Sequence, residues 1–257
     1  MTFSLTTRLR AGLIGGAALA ALSLPAAALD LSDMTEAERQ IFREEVRAYL
    51  LENPQVIMEA VAVLEQRQMQ AEAMADADAI EQNADAIFND GYSWVGGNPE
   101  GDITLVEFMD YRCGYCRRAA PEVTDFVAFD GNVRLVTKEF PILGEQSVLA
   151  SRFAIATQQV AGDEAYKAVH DALITFTGDI TEPALKRLGG SLELDTDAIM
   201  AQMDAPQVDA VIAANHQLAQ AMGISGTPSF IIGDEVVRGY VPREELEKLA
   251  AGIRQDG

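Results

Sequence analysis

The sequence is poor in the residues from which most catalytic and metal centres are built. It holds two cysteines and two histidines in 257 residues, and the histidines, His170 and His216, lie far apart in the chain. Two cysteines exclude a disulfide-stapled scaffold and any zinc site with three or four sulfur ligands, and so few imidazoles leave little for metal or triad chemistry. Cations are scarce as well: 19 Lys and Arg stand against 40 Asp and Glu, a net charge of -21. Phosphate binding needs clustered positive charge, so no nucleic-acid partner is expected. No fixed-period repeat is visible, which argues against a solenoid. With 49% apolar and 23% charged residues, the chain has material for one sizeable core, or for a domain plus an appendage.

The apolar run from Ala11 to Leu24 follows Arg8 and Arg10 and precedes Pro25 and Ala26-Ala27-Ala28. This is the three-part plan of a secretory signal peptide over residues 1–28. As a helix the run reaches about 21 Å, short of a hydrocarbon core of roughly 30 Å. Cleavage after Ala28 is expected, with delivery to an oxidising compartment.

Residues 29–90 read as a helical leader. Thr35 followed by Glu38 has the capping-box form, and Ile41, Phe42, Val46, Tyr49 and Leu50 share one helical face. Asn53-Pro54 ends this helix and starts another, with Ile57, Val61 and Leu64 continuing the stripe. From Glu65 to Ala86 the chain reads as a long solvated helix or linker. So narrow an apolar face cannot enclose a core, so it has to dock on the main domain or on copies of itself; self-association is the expectation.

Residues 91–257 read as an α/β domain. The pattern gives a buried strand from Ile103 to Asp110, a helix from Cys113 to about Phe129 and a parallel strand from Val133 to Glu139. An inserted all-α block over about 144–223 follows, then a hairpin from Ser229 to Val237 and a closing helix from Pro242 to Ile253. The expected sheet has four strands.

The chemistry concentrates in Cys113-Gly114-Tyr115-Cys116, directly after the first strand and at the start of a helix. Two cysteines in one first turn can form and break a disulfide without refolding the chain. The helix N-terminus favours the thiolate at Cys113, which makes it the nucleophile; Cys116, one turn deeper, is the resolving thiol. Arg112, Arg117 and Arg118 flank the pair, as either a solvated surface or a further support for the thiolate. With Gly114 and Tyr115 between the cysteines, no imidazolium stabilises the reduced form, so the couple is expected to be a mild oxidant. Glu107 shares a strand face with Ile103, Leu105 and Met109; a desolvated carboxyl there is expected to have a raised pKa and to accept the proton of Cys116. Thr227-Pro228 opens a strand where proline is disfavoured, which a cis bond would explain. In that form Thr227 and Pro228, with Gly114 and Tyr115, would offer backbone edges to an extended substrate.

Three segments carry a resemblance. VEFMDYRCGYC (Val106 to Cys116), KEFPILG (Lys138 to Gly144) and GTPSFIIG (Gly226 to Gly233) resemble the DsbA-like branch of the thioredoxin superfamily. The resemblance implies a thioredoxin fold with an inserted helical subdomain, Cys113 as the attacking and Cys116 as the buried cysteine, Glu107 as the acid beneath them and Pro228 as the cis-proline. The leader FREEVRAYLLENPQVIMEAVAVLEQRQ (Phe42 to Gln68) resembles the suppressor-of-copper-sensitivity C proteins. That implies a periplasmic isomerase or reductase acting on secreted client proteins with cysteines, a homo-oligomer that in some members is a trimer, and a membrane-bound partner that keeps the cysteines reduced. No organic cofactor and no metal are expected, the redox-active element being the Cys113-Cys116 pair. The alternatives are a monomeric dithiol oxidase and a Cu(I) carrier, since a Cys-x-x-Cys pair also suits Cu(I). His170 and His216 read as surface or capping groups.

Overall fold

The capping box closes as the sequence predicts. At the head of α1 (Glu36–Glu52) the Thr35 hydroxyl accepts from the Glu38 amide at 3.3 Å, and the Thr35 amide donates to the Glu38 carboxylate at 2.8 Å. The computed structural model describes residues 34–256, so the expected signal segment lies outside the described residues. The chain divides into two units, Met1–Val61 and Ala62–Gly257. In the first, α1 ends at Asn53 and α2 (Gln55–Gln82) follows Pro54. None of the α1 residues is buried. Ile41, Phe42, Val46 and Tyr49 keep their apolar surface exposed, so the stripe exists but is left uncovered within its own unit.

The second unit carries the tail of α2, α3 (Ala84–Phe88), β1 (Trp94–Gly97), β2 (Ile103–Met109), α4 (Gly114–Asp130) and β3 (Val133–Glu139). A run of helices follows: α5 (Glu145–Ala161), α6 (Asp163–Ile174), α7 (Glu182–Ser191), α8 (Thr196–Gln202) and α9 (Pro206–Ala221). The chain then returns to the sheet through β4 (Ser229–Ile232) and β5 (Glu235–Arg238) and closes with α10 (Arg243–Asp256). The mixed sheet has the order β1-β3-β2-β4-β5, with β2 and β3 parallel and the other pairs antiparallel.

β2 is almost continuously apolar because both faces are covered. Ile103 and Leu105 pack with Val123 and Phe126 of α4 and Leu246 of α10. Val106 and Phe108, pointing the other way, pack with Ile80, Ile87 and Leu218. Each such aromatic or aliphatic side chain stabilises the fold by roughly 1.5–3 kcal/mol when fully buried.

Two expectations need correction. The sheet has five strands, not four: β1 pairs antiparallel with β3 from Trp94↔Thr137 to Gly97↔Arg134. Its sequence, WVGG, is short and half glycine, so it lacks a strand's alternation; tertiary contacts form it, with Trp94 stacked 5.7 Å from Tyr166 and donating its indole N–H to the Asp163 carbonyl at 3.1 Å. The segment from Glu65 to Ala86 is not solvated throughout either. Ile80, and Ile87 just beyond it, are buried, and Arg238 of β5 holds Asp76 through two hydrogen bonds of 2.8 Å. Further along, the fully buried Lys138 ammonium is paired with Asp90 and donates to the Ala86 carbonyl at 2.8 Å. An unpaired buried ammonium would be very costly, so this pairing ties the segment after α3 to β3.

Candidate active site

β2 and α4 meet at a short loop, and that loop holds the sulfurs. Cys113 is the N-cap residue of α4, with extended backbone angles (φ -75, ψ 118), so its side chain sits where the helix amides are unpaired. Its thiol donates to the Thr227 carbonyl at 3.1 Å. The Thr227–Pro228 peptide is cis, and β4 starts directly after it. Cys116 lies one turn into the helix and is completely buried, while Cys113 retains 7% exposure. Both are free thiols. Gly114 and Tyr115 are exposed at the helix start. The structure therefore brings Cys113, Cys116 and Thr227-Pro228 to one place.

Asp110 and Tyr111, which sequence reasoning passed over, shape this loop. The Asp110 carboxylate is buried and accepts from the Arg112 amide at 2.7 Å and from the Ile142 and Leu143 amides at 2.8 and 3.0 Å. It thereby joins the Cys113 loop to the loop after β3. Arg117 donates through Nε and Nη2 to the Tyr111 carbonyl at 3.2 and 3.1 Å, fixing the same loop from the helix side. Asp110 and Tyr111 were legible only as part of a matched segment.

Glu107 occupies the middle of β2, opposite Thr137 of β3 and Phe230 of β4. It is buried, and its carboxyl makes no hydrogen bond among the described residues. Burial, reinforced by the charge of Glu139, pushes its pKa up to about 7. Burial likewise pushes the Cys116 thiol well above its ordinary value, with the Glu107 charge acting in the same direction. The carboxyl and the buried thiol thus sense one another, and each resists ionising while the other is charged.

Glu139, at the end of β3, is the second buried carboxyl, and the sequence reading did not single it out. Tyr111 and Tyr166 each donate to its Oε1 at 2.7 Å, and Ser151 donates to Oε2 at 2.7 Å. Burial raises its pKa to about 7, those three bonds opposing the rise. His170 belongs to the same cluster: its Nδ1 lies 3.1 Å from the Tyr111 hydroxyl and its ring stacks on Tyr166 at 5.9 Å. Burial lowers its pKa to about 4, so it is neutral at ordinary pH. His170, half-buried, therefore joins the edge of this network rather than serving as a surface or capping group; the signal that would have found it is the spacing Tyr166–His170, one helical turn on α6. A cavity of about 40 Å³ lies between this cluster and α4, with Glu107, His170 and Lys167 among its walls. Among the described residues no group of three or more Cys, His, Asp and Glu is placed to hold a metal ion.

The chain is similar to known proteins over both its leader and its sheet domain. Residues 104–251 match the DSBA-like thioredoxin domain family, and residues 38–71 match the copper resistance protein ScsC N-terminal domain. A thioredoxin-like oxidoreductase from Silicibacter pomeroyi is 45% identical, with a TM-score of 0.64, over 67% of this chain and 98% of its own. A periplasmic thioredoxin-like protein from Salmonella enterica serovar Typhimurium is 31% identical, with a TM-score of 0.58, over 66% of this chain and 94% of its own. The thiol:disulfide interchange protein DsbC of Dickeya dadantii is 28% identical over 58% of this chain and 50% of its own. The chain spans 24% of the length of two further curated relatives, the Na(+)/H(+) antiporters NhaA 3 of Salinispora tropica and NhaA 1 of Salinispora arenicola.

Proposed function

Because the chain belongs to the DSBA-like thioredoxin family, we propose that it is a periplasmic thiol-disulfide oxidoreductase that reshuffles or reduces disulfides of secreted client proteins. The observation that carries this reading is the placement of Cys113: N-cap of α4, bonded to the Thr227 carbonyl, with the buried Cys116 one turn behind it. The Cys113 thiolate attacks one sulfur of a client disulfide. A Cys113–client disulfide forms, the client's own bond breaks, and its second sulfur leaves as a thiolate. Two exits follow. In isomerisation another client thiolate attacks the client sulfur of the mixed disulfide and regenerates the Cys113 thiolate. In reduction Cys116 passes its proton to the ionised Glu107 carboxyl and attacks Cys113, releasing the client reduced by two electrons and leaving a Cys113–Cys116 disulfide. A membrane-bound partner supplying two electrons restores the dithiol. Electrons move only between sulfurs, so no organic cofactor is required.

Two features support this direction. Gly114-Tyr115 between the cysteines provides no imidazolium to stabilise the reduced form, which makes a mild oxidant. The leader matches the ScsC N-terminal domain and exposes Phe42, Val46 and Tyr49, a face suited to burial between copies of the chain. Export through the signal segment 1–28 accounts for the location. The test compares refolding of scrambled ribonuclease with oxidation of its reduced form, alongside solution mass for the mature chain and for its Val46→Asp variant. Rescue of scrambled ribonuclease by an oligomer, lost with the oligomer in Val46→Asp, is expected. Oxidation alone, by a monomer, would replace this reading with that of a dithiol oxidase.

A further inference from the structure

The three arginines beside the cysteines have different fates. Arg117 is spent on the Tyr111 carbonyl, and Arg112 donates through Nη1 to the Gly178 carbonyl at 3.1 Å. Arg118 makes no hydrogen bond and no ion pair among the described residues, although acids outnumber bases 40 to 19 in the sequence. It is nevertheless held: its guanidinium lies 5.1 Å from the centre of the Tyr115 ring and 5.8 Å from that of Tyr240. The carboxylate one turn further along α4, Glu122, is turned elsewhere, accepting from the Tyr240 hydroxyl at 3.2 Å and from the Arg243 amide at 3.0 Å. Glu122 thus anchors the Tyr240 ring and leaves the Arg118 donors free. Arg118 is exposed, and a guanidinium lying over aromatic rings still presents its planar fork of N–H donors to a carboxylate.

Arg118 stands five residues along α4 from Cys113, a rise of about 7.5 Å. An extended segment advances about 3.3 Å per residue, so a client side chain two or three residues from the attacked cysteine reaches this distance. We propose that Arg118 binds an Asp or Glu side chain of the client next to the disulfide under attack, so that the site selects acidic cysteine-bearing segments. The inference rests on the exchange at Cys113 proposed above and adds a preference among its substrates. Charge complementarity is its basis: the net charge of -21 repels an acidic segment, and this cation, held over the ring of Tyr115 between the two cysteines, offsets that repulsion near the reacting sulfur.

The test uses the reduced mature chain and a set of short peptides, each carrying one cysteine in mixed disulfide with thionitrobenzoate and a Glu, Gln or Lys two or three residues away. Release of the coloured thiol, the better leaving group, reports reaction of Cys113 with the peptide disulfide. At low salt the Glu peptide is expected to react about five-fold faster than the Gln peptide, the ratio set by one favourable exposed ion pair, and the advantage should shrink as salt rises. In Arg118→Gln the Glu-to-Gln ratio should fall to about one. Arg134→Gln removes the same charge from the opposite end of β3 and should leave the ratio as it is. Arg118→Lys, which keeps the charge but not the planar stacked fork, should lose most of the preference. An equal rate for Glu and Gln peptides in the wild type, or an unchanged ratio in Arg118→Gln or Arg118→Lys, would overturn the inference while leaving thiol exchange standing. No reaction with any peptide would remove the exchange reading and this one with it.

Discussion

Replacing Glu107 by Gln separates a stability effect from a chemical one. The wild-type carboxyl has its pKa raised from 4.5 to about 7 by burial and by the charge of Glu139. A raised carboxyl pKa means that the fold prefers the protonated form. The stability it contributes is complete below the unfolded value and is lost as pH rises through the folded one. The shift of about 2.5 units corresponds to about 3 kcal/mol, of which the larger part, roughly 2–3 kcal/mol, is lost between about pH 5 and pH 8.5. Glutamine is isosteric and does not titrate. Urea unfolding of the two reduced proteins should therefore show Glu107→Gln gaining about 2–3 kcal/mol on the wild type between those pH values. Relief of the buried Glu139, whose own pKa is raised to about 7, adds in the same direction. The chemistry should move the opposite way. Resolution of a Cys113 mixed disulfide by Cys116 should rise through about pH 7 in the wild type, and in the variant lose that inflection and slow on the order of a hundred-fold. A stability difference that stays constant with pH would refute the assignment of a buried, reluctantly ionised carboxyl at this position. A resolution rate unaffected by the substitution would refute its part in proton transfer.

Other perturbations have equally definite outcomes. Asp90→Ala leaves the Lys138 ammonium, fully buried against Asp90, without its counter-charge, and should cost about 3–5 kcal/mol in urea unfolding; adding Lys138→Met should recover most of the loss. Tyr166→Phe removes one of three donors to Glu139, and should destabilise by about 1–3 kcal/mol above pH 7, where that carboxyl is ionised, with a smaller loss at about pH 5. Cys116→Ser should accumulate a mixed disulfide between Cys113 and client, visible as a thiol-sensitive band, because only the escape through Cys116 is removed. Cys113→Ser should abolish exchange altogether, as measured by release of thionitrobenzoate.

The β-α-β unit, the helical insert, the closing hairpin and helix, and the dithiol at a strand-to-helix junction were all legible in the sequence, because each rests on local rules. The capping box at Thr35 and Glu38, the proline at the start of α9 and the unbroken apolar run of β2 leave signals within a few residues of themselves. β1 leaves none, since WVGG becomes a strand only by pairing with β3. Ile80 and Ile87 could not be distinguished from residues on a solvated helix, because what buries them is a sheet face formed tens of residues later.

The candidate site divides in the same way. Residue identity alone, read at a spacing of three and beside a strand, selected Cys113, Cys116 and Glu107, because redox chemistry needs two sulfurs within one turn and an alternating strand sends every second side chain to the same face. Only the tertiary structure gathered Glu139, Tyr111, Tyr166 and His170 into one cluster, engaged Arg112 and Arg117 while leaving Arg118 without a hydrogen bond or ion pair among the described residues, and turned the Thr227 carbonyl toward the Cys113 sulfur. The reason is physical: spacing along a chain sets which side chains share a face, whereas burial, and with it the pKa of a carboxyl or thiol, depends on whatever arrives from elsewhere to exclude water.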